Sequence, residues 1–204
     1  MRVMIIGVLS FKGGQAKTTS AVHLAGYFSG LGSTGLIDCD PNRSGLTWAK
    51  NGLLPFRVVD ELQTARVARE AEHLIVDTKA RPIRSDIESL EKNCDLLVLP
   101  VTPDPLSLEA LMLTLEALGT IDKKSYRVLL TICPPAPSHD ADDARKLIAK
   151  EGLPLFAGQI RRAVAFQRAA LAGVLVDQVS DPRAEECAED YRRIGKEIVR
   201  LTKR

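Results

Sequence analysis

The chain has 204 residues, of which 45% are hydrophobic, 26% charged and only 4% aromatic. That length and make-up suit one domain with one substantial core and exclude a collagen-like or low-complexity chain. A formal net charge of +2 is too small to name a partner by itself.

Four cysteines, Cys39, Cys94, Cys133 and Cys187, lie far apart without a Cys-x-x-Cys pair, and the three histidines lack metal spacing. This argues against a metal or redox site and for free thiols in a reducing compartment. The apolar run 3–9 is too short for a signal-peptide core with a cleavage site and far too short to span a membrane. A cytoplasmic protein with a single domain over residues 1–204 is expected.

In chain order, "VMIIGVL" (3–9), "GLID" (35–38), "FRVVD" (56–60), "HLIVD" (73–77), "DLLVLPV" (95–101) and "RVLLTI" (127–132) read as strands. "AGQI" (157–160) and "GVLV" (173–176) are weaker candidates. Several runs are nearly all apolar, as parallel strands covered on both faces should be. Helical patterns occupy 17–30, 62–70, 85–92, 105–120, 138–151, 161–172 and 182–202. The alternation predicts βαβ units in an α/β fold, with a doubly wound, mostly parallel sheet flanked by helices.

"SFKGGQAKTTSAVHLAG" (10–26) lies between the first strand and the first helix, the context in which a phosphate-binding loop is found. Gly13 and Gly14 allow a tight turn that aims N–H groups inward. The helix beginning near Lys17 adds its positive end. Lys17 is expected at the β- and γ-phosphates and Thr18 at Mg2+. Two more strand ends carry carboxylates. "GLIDCDP" ends in Asp38 and Asp40, with Asp38 expected to face the γ-phosphate, and "HLIVD" ends in Asp77, placed to orient Mg2+ through water.

These residues carry a resemblance. "KGGQAKTT" resembles the deviant phosphate-loop motif of the ParA/MinD ATPases, a branch of the P-loop NTPase-like fold, and "LIDCDP" and "LIVDT" are similar to that family's two carboxylate motifs. "VLPVTPDPLSLEAL" (98–111) and "IRRAVAFQRAALAGVLV" (160–176) extend the likeness over most of the chain. The length resembles the small members that lack an N-terminal DNA-binding domain, including the McdA-type ones that position carboxysomes.

The resemblance implies a Mg2+-dependent ATPase that dimerises around ATP. The nucleotide would lie against Lys12, Gly13, Gly14, Gln15, Ala16, Lys17, Thr18 and Thr19. Lys12 would cross the dimer interface to the partner's phosphates, and Asp38 would position or activate the attacking water. A second cation at the γ-phosphate neutralises charge that develops during transfer, as an arginine finger does. Pro134 and Pro135, in the loop "CPPAP" after a late strand, would pack on adenine. Further expectations are non-specific duplex DNA, a ParB-like or McdB-like adaptor that stimulates hydrolysis, and a cytoplasmic, nucleoid-associated location. The cargo would be a plasmid, a chromosome region or a carboxysome.

Two residues depart from the motif. Ala16 replaces the glycine before the loop lysine, which costs little at negative φ and is strained at positive φ. Lys79 follows Asp77 where the family has proline or a small apolar residue. It sits either near the nucleotide or dimer interface or on a solvated loop.

Residues 191–204 carry six basic residues and one acidic, Glu197, a local charge of +5. Tyr191, Ile194, Ile198 and Leu201 form one arc of that helix, and Arg192, Arg193, Lys196 and Arg200 another. With Arg161, Arg162 and Arg168, the residues Arg192, Lys196 and Arg200 are candidates for a phosphate-backbone surface, against a solvated face. A MinD-like amphipathic membrane contact is a second alternative, disfavoured because the apolar arc lacks Trp and Phe. A dethiobiotin-synthetase-like ligase shares the fold and has no need of Lys12. An iron–sulfur carrier needs paired bridging cysteines, which the spacing does not offer.

Overall fold

The computed structural model describes residues 3–118 and 122–202. Six strands form one sheet: β1 (Met4–Val8), β2 (Thr34–Asp38), β3 (Arg57–Asp60), β4 (His73–Asp77), β5 (Leu96–Val101) and β6 (Tyr126–Leu130). The order is β3-β2-β4-β1-β5-β6 and every pairing is parallel. The expected doubly wound α/β architecture is therefore present. The helices are α1 (Lys17–Ser29), α2 (Ser44–Trp48), α3 (Thr64–Val67), α4 (Arg84–Asn93), α5 (Pro105–Leu118), α6 (Asp140–Lys150), α7 (Ala165–Ala172) and α8 (Ala184–Thr202).

Both sheet faces are covered, which explains the nearly continuous apolar strands. In β5, Leu96 and Val98 join a cluster with Val22, Phe28, Tyr191 and Ile198 from α1 and α8. Leu97, Leu99 and Val101 join another cluster with Leu108, Leu111 and Ile148 from α5 and α6. The apolar arc of the last helix is thus packed inward, with Tyr191, Ile194 and Ile198 at most 2% exposed. Gly195 lets α8 approach α1 closely, because a Cβ there would lie 2.2 Å from the Tyr27 ring.

The two weak strand candidates turn out differently. Residues 154–162 run along the outer edge of β6 without joining the sheet as a strand. The Phe156 and Ile160 N–H groups donate to the Val128 and Leu130 carbonyls, and the Arg162 N–H to Cys133. This extended edge delays α7, expected from 161, to Ala165. Residues 173–176 are not a strand either. Gly173, at φ 74°, ends α7, and Val176–Gln178 forms a 3-10 turn. An apolar run of four residues is equally compatible with a buried turn. Residues 119 and 120 of the helix expected over 105–120, with Lys203 and Arg204, lie outside the described residues.

The switch in winding direction falls at β1, which lies between β4 and β5. In such sheets ligands bind beyond the strand carboxyl ends at the switch point. Register aligns the chemistry there: Asp77 stands beside Val8 on one side and Asp38 on the other.

Candidate nucleotide site

Beyond the carboxyl end of β1, a cleft of about 590 Å³ is lined by residues 13–19, Asp40, α2 residues through Trp48, and Ala170 of α7. Lys17 opens α1 and is buried, with its Nζ 2.7 Å from Asp77 Oδ1 and 3.0 Å from Asp40 Oδ2. Thr18 Oγ1 donates to Asp77 Oδ2 at 2.6 Å. One ammonium is therefore held by two carboxylates, with a hydroxyl alongside.

Burial raises the Asp77 pKa, and the Lys17 ammonium and Thr18 hydroxyl offset only part of that. The balance reverses at Asp40: burial also raises it, but the Asn42 N–H and Lys17 outweigh this and leave the pKa lowered. Thr18 and Asp77 supply the hydroxyl and carboxylate oxygens that a hard divalent cation prefers. Lys17, compact and cationic, suits an anion entering the cleft.

The expectation for Asp38 needs correction. Asp38 is fully buried and faces inward rather than toward the cleft. Its Oδ1 accepts the Asp40 N–H at 3.1 Å, and its Oδ2 accepts the Leu46 N–H of α2 at 2.9 Å. Asp40, two residues on and past the strand end, is the carboxylate of this motif that lines the cleft. Sequence reading placed both residues at the strand end but expected Asp38, rather than Asp40, to face the cleft. The signal was α2, a helix of five residues too short to show periodicity, whose backbone needs a buried acceptor.

Ala16 adopts φ 57° and ψ 31°, the left-handed conformation, as does Gly14 at φ 81°. For alanine this costs roughly 1–2 kcal/mol. Ala16→Gly removes the strain at some cost in unfolded-chain entropy, so it should stabilise the fold by about 1 kcal/mol. Thermal melting should show an increase of roughly 2–4 °C. An unchanged or lower midpoint would mean the loop bears no such strain.

Lys12 does not line the cleft of its own chain. It turns toward α5, 3.4 Å from Ser107 Oγ. Lys79 pairs with Asp86 in the first turn of α4 at 2.8 Å and is half-exposed. Pro134 and Pro135 line a separate cleft of about 420 Å³ with Gly158, Gln159 and Arg161. The phosphate loop contributes none of that lining, although Thr131 Oγ1, at the end of β6, donates to the Gln15 carbonyl.

Behind the loop, α1 carries His23. Its Nδ1 lies 2.8 Å from the Thr19 carbonyl, and its Nε2 accepts the Val176 N–H at 3.1 Å. Burial lowers its pKa to about 4, partly opposed by the Thr19 carbonyl, so the ring is neutral at physiological pH. It stacks on Tyr191 and meets Trp48 and Phe166 edge-on. This aromatic cluster fixes the floor against which α2 and α7 pack.

The six basic candidates divide. Arg161 is bidentate to Asp190 and also pairs with Glu186. Arg168 pairs with Asp181 at 2.7 Å. Arg192 pairs with Glu185 at 2.6 Å and lies near Glu189 and Asp177. Arg162, Lys196 and Arg200 are exposed, and no ion pair is formed by them among the described residues. The local charge of +5 left out four carboxylates just upstream: Glu185 and Glu189 lie one or two turns from Arg192, and Glu186 and Asp190 meet Arg161 from a distant part of the chain.

Known proteins share this sequence pattern and fold. A curated relative from Gloeobacter kilaueensis, maintenance of carboxysome distribution protein A, is 34% identical over 96% of this chain and 94% of its own. Two solved structures share the fold with a TM-score of 0.72. One is a plasmid partition protein from Borrelia burgdorferi bound to AMPPNP, 15% identical over 97% of this chain and 99% of that one. The other is apo McdA from Cyanothece, 16% identical over 93% and 98%. The model of the CobQ/CobB/MinD/ParA nucleotide binding domain matches residues 6–192. With its phosphate loop, strand-end carboxylates and parallel sheet in the places described, the chain belongs to the CobQ/CobB/MinD/ParA nucleotide-binding family.

Proposed function

We propose that the chain is a Mg2+-dependent ATPase of the ParA type. It forms a dimer around ATP, binds duplex DNA without sequence preference, and positions a cargo through an adaptor that stimulates hydrolysis. The observation that carries this reading is the contrast between the two loop lysines. Lys17 sits in its own cleft between two carboxylates, while Lys12 faces away from it. A lysine that leaves its own phosphate site is suited to a partner's, which makes association a precondition for turnover. Among the possible cargoes, carboxysomes are favoured by the Gloeobacter relative's name and its near-full coverage.

In this reading the α1 N-terminus and residues 13–19 bind the phosphates, and Lys17 exchanges its carboxylates for the β- and γ-phosphates. Asp40 replaces Asp38 as the group that orients the attacking water, because only Asp40 lines the cleft. Thr18 and Asp77 would hold Mg2+, which when bound neutralises phosphate charge. The MinD-like membrane alternative is disfavoured because the apolar arc of α8 is packed against α1. Among the described residues no helix is long and apolar enough to cross a membrane.

Light scattering with ATP and with ADP tests the switch, and a salt titration on unrelated duplexes tests the surface. Only ATP should double the particle mass. With Arg162, Lys196 and Arg200 on each of two protomers, log K should fall against log salt with a slope near about −5. Lys196→Ala should lower that slope by about 2 without changing preference among sequences. Equal mass and equal DNA binding in both nucleotides would sink the proposal.

A further inference from the structure

Gln15 occupies the middle of the phosphate loop and is among the residues that line the cleft, yet it is only 5% exposed. It is fastened to the β5–α5 connection. Its Oε1 accepts the Thr102 N–H at 2.7 Å, and its Nε2 donates to Ser107 Oγ at 3.0 Å. Ser107, itself 3% exposed, is the residue that faces Lys12.

The protons in this cluster can be assigned. Thr102 has one hydroxyl proton and three neighbouring acceptors: Asp104 Oδ2 at 2.5 Å, Ser107 Oγ at 3.0 Å and Gln15 Oε1 at 3.1 Å. The shortest contact, to a charged acceptor, claims it. The Ser107 proton then turns toward Thr102 Oγ1, since Ser107 has a single donor. Ser107 Oγ is left as an acceptor for both Gln15 Nε2 and the Lys12 ammonium. The result is a polarised chain from the Lys12 cation through two hydroxyls to the Asp104 carboxylate, each bond strengthening the next. The Ser107 N–H donates to Asp104 Oδ1 at 3.0 Å and ties the same carboxylate to the start of α5.

We propose that Gln15 is a positioning residue for Lys12: with Ser107, Thr102 and Asp104 it forms a seat that directs the Lys12 ammonium away from its own cleft and toward the α5 side of the protomer. The inference rests on the reading that Lys12 acts on the partner's nucleotide. Without the seat, the four-carbon side chain of Lys12 regains its rotamers, and ordering it on dimerisation costs more. Ser107 and Thr102 lie outside the phosphate loop, so loss of their side chains spares nucleotide binding by a single protomer.

The test is a double-mutant cycle on turnover, with nucleotide affinity measured separately using a fluorescent ATP analogue. Gln15→Leu and Ser107→Ala should each lower kcat by about tenfold, and Ser107→Ala, outside the phosphate loop, should leave KM and affinity within about twofold. In a Lys12→Ala background, neither change should reduce turnover further. Melting curves identify any misfolded variant, and the two substitutions reach the seat from different elements, so one folded variant decides. Losses that multiply in full on top of Lys12→Ala would make the cluster merely structural and overturn the proposal. Wild-type turnover in both seat variants, with Lys12→Ala defective, would overturn the seat and leave the trans role standing. Wild-type turnover and dimerisation in Lys12→Ala itself would remove the trans role and the seat with it.

Discussion

Asp40→Ala is expected to reduce ATP hydrolysis by roughly 10²–10³, the loss typical when a positioned acid–base or water-orienting group is removed. Nucleotide binding should survive and the ATP-bound dimer should accumulate. Asp40 lines the cleft and contacts Lys17, while residues 13–19 and Thr18 are left intact. Asp38→Ala should behave otherwise. It removes the acceptor for two backbone N–H groups, Asp40 and Leu46, inside a fully buried site. Leaving those donors unpaired costs about 2–4 kcal/mol and frees α2. Melting curves and single-turnover hydrolysis separate the two effects. If Asp38→Ala keeps its melting temperature and blocks hydrolysis while Asp40→Ala turns over normally, the assignment reverses.

The same pair shows how far the sequence could be read. Six strands, their parallel pairing and the meeting of Lys17, Thr18 and Asp77 were all legible, because long apolar runs and a glycine-bearing loop are signals carried by neighbouring residues. The facing of Asp38 and Asp40 was not. Both lie at one strand end, and which one turns inward depends on α2, whose five residues leave no periodic trace. The left-handed Ala16 was posed by the sequence as a choice between two φ signs, and tertiary context settled it. The arginines of the basic surface were found one by one. Their neutralisation needed the fold, since Arg161 reaches Asp190 across 29 residues and Arg168 reaches Asp181 across 13. Likewise, the edge segment 154–162 is extended only because β6 offers unpaired backbone groups beside it.

Lys17→Ala is expected to abolish nucleotide binding and also to destabilise the fold, a second effect with its own cause. The ammonium offsets two carboxylates, Asp77 at 0% exposure and Asp40 at 6%. Removing one partner of a buried ion pair costs about 3–5 kcal/mol, because the remaining charge is left uncompensated. For a chain of this size that corresponds to a fall of about 10 °C in the melting midpoint. The penalty carries a pH signature. The Asp77 pKa is already raised by burial, and Lys17 is the largest influence holding it down. Without Lys17 it rises further, so the folded state takes up a proton that the unfolded chain binds less tightly. Stability linked to such a group is present at low pH and is lost as pH rises through the folded pKa. The gap between wild type and Lys17→Ala should therefore narrow in acidic buffer and widen toward neutrality. Adding Asp77→Asn to Lys17→Ala should recover much of the stability, by removing the orphaned charge, and none of the nucleotide binding. A Lys17→Ala protein that melts like wild type at every pH would show that water or rearranged side chains compensate the carboxylates. If the double variant stays as unstable as Lys17→Ala, the loss does not come from the Asp77 charge.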